Sequence, residues 1–67
     1  MSSANRYFEL MIEMDNDAFA DDAPGELARI VRAVAERLEY WNPERRMLIP
    51  LRDANGNLCG HAEINRG

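Results

Sequence analysis

The sequence contains one cysteine, Cys59, and one histidine, His61, among 67 residues. A single cysteine excludes a disulfide within the chain, and one cysteine with one histidine leaves too few soft ligands for a structural zinc site. A domain of this size buries only about 60% of the surface that its unfolded chain exposes, so its core is small. Small domains usually gain stability from a disulfide, a metal or a partner subunit. Because the first two are missing, the composition favours self-association.

Long apolar runs and an excess of basic residues are also missing. No apolar run approaches the roughly 20 residues that a helix needs to cross a bilayer. The formal net charge is −4, which disfavours non-specific binding to nucleic acid or to an anionic membrane. Residues 1–5 lack the charged-then-apolar pattern of a secretion signal. Together with one reduced thiol, these features predict a cytoplasmic protein that does not bind membranes.

One long amphipathic segment runs from Asp22 to Trp41. Its large apolar side chains fall on one stripe of a helix, and arginine and glutamate occupy the opposite side. Asp22 is the predicted N-cap, since Ala23 and Pro24 then fill the first turn. Pro43 predicts that the helix ends at Trp41 or Asn42, because the residue before a proline disfavours the helical conformation. The apolar stripe comprises Leu27, Ile30, Val31, Val34, Leu38 and Trp41.

The segment from Arg6 to Met14 alternates in polarity, which predicts a strand. We expect Phe8, Leu10, Ile12 and Met14 to face the helix, and Tyr7, Glu9, Met11 and Glu13 to point the other way. The acidic connection 15–22 follows, and its one large apolar residue, Phe19, is expected at the edge of the core. The spacing of its carboxylates does not fit an EF-hand loop, so we predict a capping loop and no metal site.

The dipeptide Asn55-Gly56 predicts a β-hairpin between strands 47–53 and 57–64. A two-residue loop pairs Leu51 with Gly60, Ile49 with Ala62 and Met47 with Ile64, and it places these residues on the same face as Leu58. The other face then carries Leu48, Pro50, Arg52, Cys59, His61 and Glu63. The alternative is a type I turn with Gly56 as a bulge, which shifts the register by one residue. We favour the two-residue loop, because it keeps the apolar positions together.

The order strand, helix, strand, strand predicts an α+β fold. We expect a single β-α-β-β domain over residues 6–64, with a three-stranded, mostly antiparallel sheet and one helix packed on one face. Residues 1–5 and 65–67 are expected to be flexible termini. The favoured sheet has the third strand in the middle, antiparallel to both others. The alternative keeps the first two strands adjacent.

One sheet face has no predicted element to cover it. An apolar cluster rimmed by charge often marks an interaction site, and the small core favours a homodimer or a protein partner on this face. The simpler interpretation is a solvated face, which is common in antiparallel sheets. The predicted interface residues are Tyr7, Met11, Leu48, Pro50, Cys59 and His61.

Two further patterns were weighed for chemistry. Cys59 and His61 share a strand face in the favoured register, but residues two apart on a strand are about 7 Å apart, too far for a nucleophile and its base. We therefore expect no enzyme activity, no catalytic residue and no cofactor. The second pattern is a set of arginines that offers nucleic-acid binding as an alternative function, although the net acidic charge disfavours it. These arginines are Arg29, Arg32, Arg45 and Arg46.

Three stretches resemble a group of small, uncharacterised proteins from phage and plasmid gene sets. They are the run RYFELMIEMDN at 6–16, the helix segment ELARIV at 26–31 and the hairpin LRDANGN at 51–57. The resemblance covers most of the chain but brings no activity, cofactor or site residue with it. It implies an accessory or regulatory binding role rather than a metabolic one.

Overall fold

The computed structural model describes residues 6–65. The elements are β1 (Tyr7–Ile12), a short 3-10 helix (Asp17–Phe19), α1 (Ala23–Glu39), β2 (Met47–Arg52) and β3 (Leu58–Asn65). The predicted α+β class and the order strand, helix, strand, strand are confirmed. The expected flexible ends 1–5 and 66–67 lie outside the described residues, whereas Asn65 belongs to β3.

The three strands form one sheet in which β3 lies in the middle and runs antiparallel to both neighbours. This is the favoured strand order. Pro50 lies in the edge strand β2, as expected of a residue that cannot donate a hydrogen bond to a sheet ladder. Three predicted hairpin pairs are present: Met47 with Ile64, Ile49 with Ala62 and Leu51 with Gly60.

The start of α1 agrees with the prediction. Asp22 is the N-cap, and its Oδ1 accepts a hydrogen bond from the backbone N–H of Gly25 at 3.1 Å. Pro24 lies in the first turn, where backbone N–H groups have no partner within the helix. The N–H that proline lacks therefore costs no hydrogen bond at this position.

The end of α1 was predicted too late. The helix ends at Glu39, with Tyr40 as its C-cap. The backbone N–H of Tyr40 donates to the carbonyl of Arg37, and that of Trp41 donates to the carbonyl of Leu38. The last turn therefore has hydrogen bonds between residues three apart, as in a 3-10 helix. The Trp41 indole then donates to the carbonyl of Arg45 at 2.9 Å, which holds the chain in a loop rather than in another helical turn.

The core lies between α1 and the sheet. Its buried apolar residues are Phe19, Ile30, Val34, Ile49, Leu51, Cys59, Ala62 and Ile64. Phe8, Met14 and Val31 were expected on the covered side, but all three are exposed. The reason is that α1 packs along β2, beside Ile49 and Leu51, so edge strand β1 receives less cover.

The hairpin turn takes the form that we had not favoured. The backbone N–H of Asp53 donates to Asn57 and that of Gly56 donates to Asp53, each at 2.9 Å. Gly56 has a φ of 85°, which is the left-handed conformation that glycine adopts without strain. Such a turn alone shifts the strands by one residue relative to a two-residue loop.

A β-bulge next to the turn reverses that shift. The β2–β3 register changes between Leu51, which pairs with Gly60, and Arg52, which pairs with Leu58, so Cys59 is the extra residue. A bulge re-aims side chains locally. Cys59 therefore enters the core at 2% exposure, and Leu58 is exposed instead. The predicted positions of these two residues were wrong, although the register of the strand bodies was right.

Candidate functional site

The side of the sheet that faces away from α1 is the open sheet face. It carries Tyr7, Glu9 and Met11 from β1, Leu48, Pro50 and Arg52 from β2, and Leu58, His61, Glu63 and Asn65 from β3. Four of its apolar side chains, those of Tyr7, Met11, Leu48 and Leu58, are between 42% and 68% exposed. Within residues 6–65, no second layer of the chain covers this face.

Part of the open sheet face is concave. A hollow of about 380 Å³ is lined by Met11, Glu13, Leu48, Pro50, Leu58, Cys59, Gly60 and His61. Gly60 contributes no side chain, and a Cβ atom there would collide with the backbone carbonyl oxygen of Met11. The close approach of β1 to β3 thus requires glycine at this position.

Five of the six predicted interface residues lie on this face: Tyr7, Met11, Leu48, Pro50 and His61. Cys59 does not, because the bulge turns it into the core, where burial raises the pKa of its thiol. Leu58 takes its place on the open side and was missed. The residues of the turn around Gly56 were the signal that could have placed Leu58 correctly. A loop of three residues requires a compensating bulge if the rest of the two strands keeps the predicted register.

The bulge also separates the two residues considered for covalent chemistry. Cys59 belongs to the core cluster, whereas His61 lies on the open sheet face and borders the hollow. Although Cys59 also borders the hollow, its side chain is 2% exposed and burial raises the pKa of its thiol, which lowers the reactive thiolate fraction.

His61 instead lies beside two carboxylates. Its Nε2 is 3.5 Å from Oε1 of Glu9 and 3.8 Å from Oε1 of Glu63. Glu9 and Glu63 are direct cross-strand partners, and His61 pairs with the next open-face position of β1, Met11. The three side chains each offer one ligand atom, and these atoms lie within 4.8 Å of one another. We call these three residues the Glu9–His61–Glu63 cluster.

A second polar network has a structural role at the other end of the sheet. The carboxylate of Asp53 accepts hydrogen bonds from the backbone N–H groups of Asn55 and Asn57 and from the side chain of Asn16. Burial alone raises the pKa of Asp53, but these three donors outweigh it and the pKa is lowered. The network ties the acidic connection to the hairpin.

Glu26 ties α1 to the same hairpin. Its Oε2 accepts from the backbone N–H of Ala54 at 2.7 Å and from Arg29 Nη2 at 2.8 Å. The hydrogen bond from Arg29 is the main reason that the pKa of Glu26 is lowered. Both acidic residues therefore stabilise the turn.

The four arginines of the alternative function do not form one surface. Arg29 is engaged with Glu26 and with the carbonyl of Arg52, at the end of β2. Arg45 and Arg46 precede the start of β2, and a six-residue strand separates its ends by about 17 Å. Arg46 reaches Glu63 on the open sheet face at 3.9 Å, and Arg32 lies exposed on α1.

In the part of the chain that the structure describes, no helix has the length and apolar character to cross a membrane. Comparison with protein-family models, with curated proteins and with solved structures found no match for this chain. The resemblance to phage and plasmid proteins therefore stays a prediction, and the functional argument depends on the open sheet face alone.

Proposed function

We propose that this chain is a small cytoplasmic interaction protein that forms a homodimer by packing its open sheet face against that of a second copy. The observation that carries the proposal is the set of exposed apolar side chains around the hollow, of which Leu48 is 68% exposed. Exposed apolar clusters with polar rims are typical of protein interfaces.

The size of the core supports self-association. Only Phe19 among the aromatic residues is buried, and the other buried side chains are those of a thin layer between one helix and three strands. A domain of this size is marginal without further support. Covering the open sheet face adds apolar burial that the chain cannot provide by itself.

The charges on the face suit a two-fold arrangement. Acidic Glu9 lies on edge strand β1, whereas the opposite edge strand β2 has basic Arg46 just before its start and basic Arg52 at its end. In a two-fold interface, a contact from one copy is repeated by the other. Placing β1 of one copy over β2 of its partner therefore brings the carboxylate to an edge that carries arginine at each end, and the two-fold axis repeats this contact.

Leu48→Ala tests the proposal. The substitution removes about three carbon atoms, each worth about 0.8 kcal/mol when buried, and roughly two thirds of the side chain is available to a partner. The expected loss is about 1.6 kcal/mol per copy, or about 3 kcal/mol for the dimer, which weakens the dissociation constant on the order of 100-fold. Sedimentation across a concentration series measures this constant.

Val31→Ala is the matched control, because Val31 is an exposed apolar residue on α1, on the other side of the molecule. We expect its dissociation constant to equal that of the wild type. A wild-type chain that remains a monomer at high micromolar concentration would contradict self-association. Equal weakening by both substitutions would contradict the assignment to the open sheet face.

Nucleic-acid binding by Arg29, Arg32, Arg45 and Arg46 has less support. Arg29 is already paired with Glu26, and it lies at the opposite end of β2 from Arg45 and Arg46. No specific contact in the structure favours this alternative over the interface.

A further inference from the structure

The Glu9–His61–Glu63 cluster contains an electrostatic conflict. Glu9 and Glu63 stand directly opposite each other on β1 and β3, and like charges in that position destabilise a sheet. Arg46 relieves this only in part, since it approaches Glu63 at 3.9 Å. Among residues 6–65, the one cationic group that contacts Glu9 is His61, and only when it is protonated. The cluster is therefore a place where a bound cation is favoured.

The spacing of the cluster fits a small divalent ion. Zinc binds histidine nitrogen and carboxylate oxygen at about 2.0–2.2 Å, so tetrahedral ligand atoms lie about 3.4 Å apart. The two distances from His61 Nε2, 3.5 Å to Glu9 and 3.8 Å to Glu63, are close to that value. Small rotations of the two glutamate side chains close the remaining gap, since the Glu9 side chain is 54% exposed and that of Glu63 is 28% exposed.

The backbone beneath the cluster belongs to two paired strands. All three residues lie within the paired part of β1 and β3, and not in a loop. Sites built on strands hold their geometry better than sites built on loops. A set of one imidazole and two carboxylates suits a first-row transition ion such as Zn²⁺, whereas calcium prefers oxygen ligands alone.

We infer that Glu9, His61 and Glu63 bind one divalent transition-metal ion of the zinc class, with water in the remaining coordination position. The low count of cysteine and histidine excludes a structural site of soft ligands, but it does not exclude this one, because carboxylates supply two of the three ligands. Because Glu9 also belongs to the open sheet face proposed for self-association, the test below follows zinc binding and self-association separately.

The test is a titration of the untagged chain with ZnCl₂, followed by calorimetry and by NMR. Because His61 is the only histidine of the chain, its imidazole gives a single set of ring resonances. We expect one zinc ion per chain and a saturable shift of these resonances. Loss of a residue that hydrogen-bonds to a metal ligand lowers metal affinity about 10- to 100-fold. Glu9→Gln and Glu63→Gln each remove a ligand itself, so each should lower the zinc affinity by at least that factor.

Glu36→Gln is the control, since it removes the same charge from the exposed surface of α1. It should bind zinc as the wild type does. Circular dichroism checks that each variant is folded, and sedimentation of the same samples shows whether self-association has changed independently of zinc. Absence of zinc binding would overturn the inference. So would binding that Glu9→Gln and Glu63→Gln leave unchanged, because it indicates an ion held by His61 alone.

Discussion

The bulge at Cys59 makes a prediction that separates two adjacent residues. In the wild type the only thiol is that of Cys59, at 2% exposure in the central strand. The double variant Leu58→Cys/Cys59→Ala moves the only thiol by one position, to a residue that is 60% exposed. A thiol reagent should therefore react rapidly with the double variant and slowly with the wild type.

The size of the difference follows from the stability of the fold. Globular domains are stable by about 0.05–0.15 kcal/mol per residue, or roughly 3–10 kcal/mol for a chain of this length. Reaction of a buried thiol in the central strand requires an opening that approaches global unfolding. Each 1.4 kcal/mol of opening free energy lowers the fraction of open molecules about tenfold. With the lower stability limit of roughly 3 kcal/mol, the thiol of Cys59 should react at least about 100-fold more slowly than the thiol of the double variant. Burial also raises the pKa of Cys59, which lowers its reactive thiolate fraction.

The assay is the rate of absorbance change with an aromatic disulfide reagent at neutral pH. Protection of the wild-type thiol should disappear in urea, which checks that it reflects folding. Rapid reaction of the folded wild type would refute the placement of Cys59 in the core. At a concentration at which sedimentation shows a monomer, slow reaction of the double variant would indicate the two-residue loop instead of the bulged hairpin.

Two further predictions concern the framework of the sheet. Because the pKa of Asp53 is lowered from its ordinary value of 3.8 by folding, its contribution to stability is present above that value and is lost as the pH falls through the folded pKa. Urea unfolding should therefore find Asp53→Asn less stable than the wild type at pH 7, with a difference that shrinks below about pH 4; a difference independent of pH would contradict this. Gly60→Ala places a Cβ against the Met11 carbonyl oxygen, and overpacking of this kind costs about 1–3 kcal/mol. At Gly56 a side chain would meet no neighbouring atom, and only the positive φ disfavours other residues. Asparagine tolerates that φ, so urea unfolding should find Gly56→Asn much less destabilised than Gly60→Asn.

The sequence was informative wherever a local rule decides structure. The apolar stripe of α1, the N-cap at Asp22 and the position of the hairpin turn depend on residues within one or two turns of chain, and each was recognisable, whereas the form of the turn at Gly56 was the one not favoured. The strand order was also predicted correctly. The last turn of α1 was not, because the hydrogen bond from the Trp41 indole to Arg45 forms across the following loop.

The candidate site was predictable only in part. The alternation of β1 and β2 placed Tyr7, Met11 and Leu48 on the open sheet face. The Glu9–His61–Glu63 cluster was not recognised, since Glu9 is far from the other two in sequence and meets them only through the register of β1 with β3. The 7 Å spacing of residues two apart on a strand, which was applied to Cys59 and His61, does not hold for the side chains of His61 and Glu63, which bend to within 3.8 Å of each other.

By itself, the sequence determined the helix and the three strands, their order and the two faces of the strand bodies away from the bulge, because helical and strand periodicities are properties of neighbouring residues. Tertiary structure alone decided which residue of the Leu58–Cys59 pair is buried. The turn at Gly56 and the pairing of Leu51 with Gly60 impose different registers on β3, and a single extra residue at Cys59 satisfies both. Tertiary structure also decided which carboxylates surround His61, because only strand pairing brings Glu9 beside Glu63.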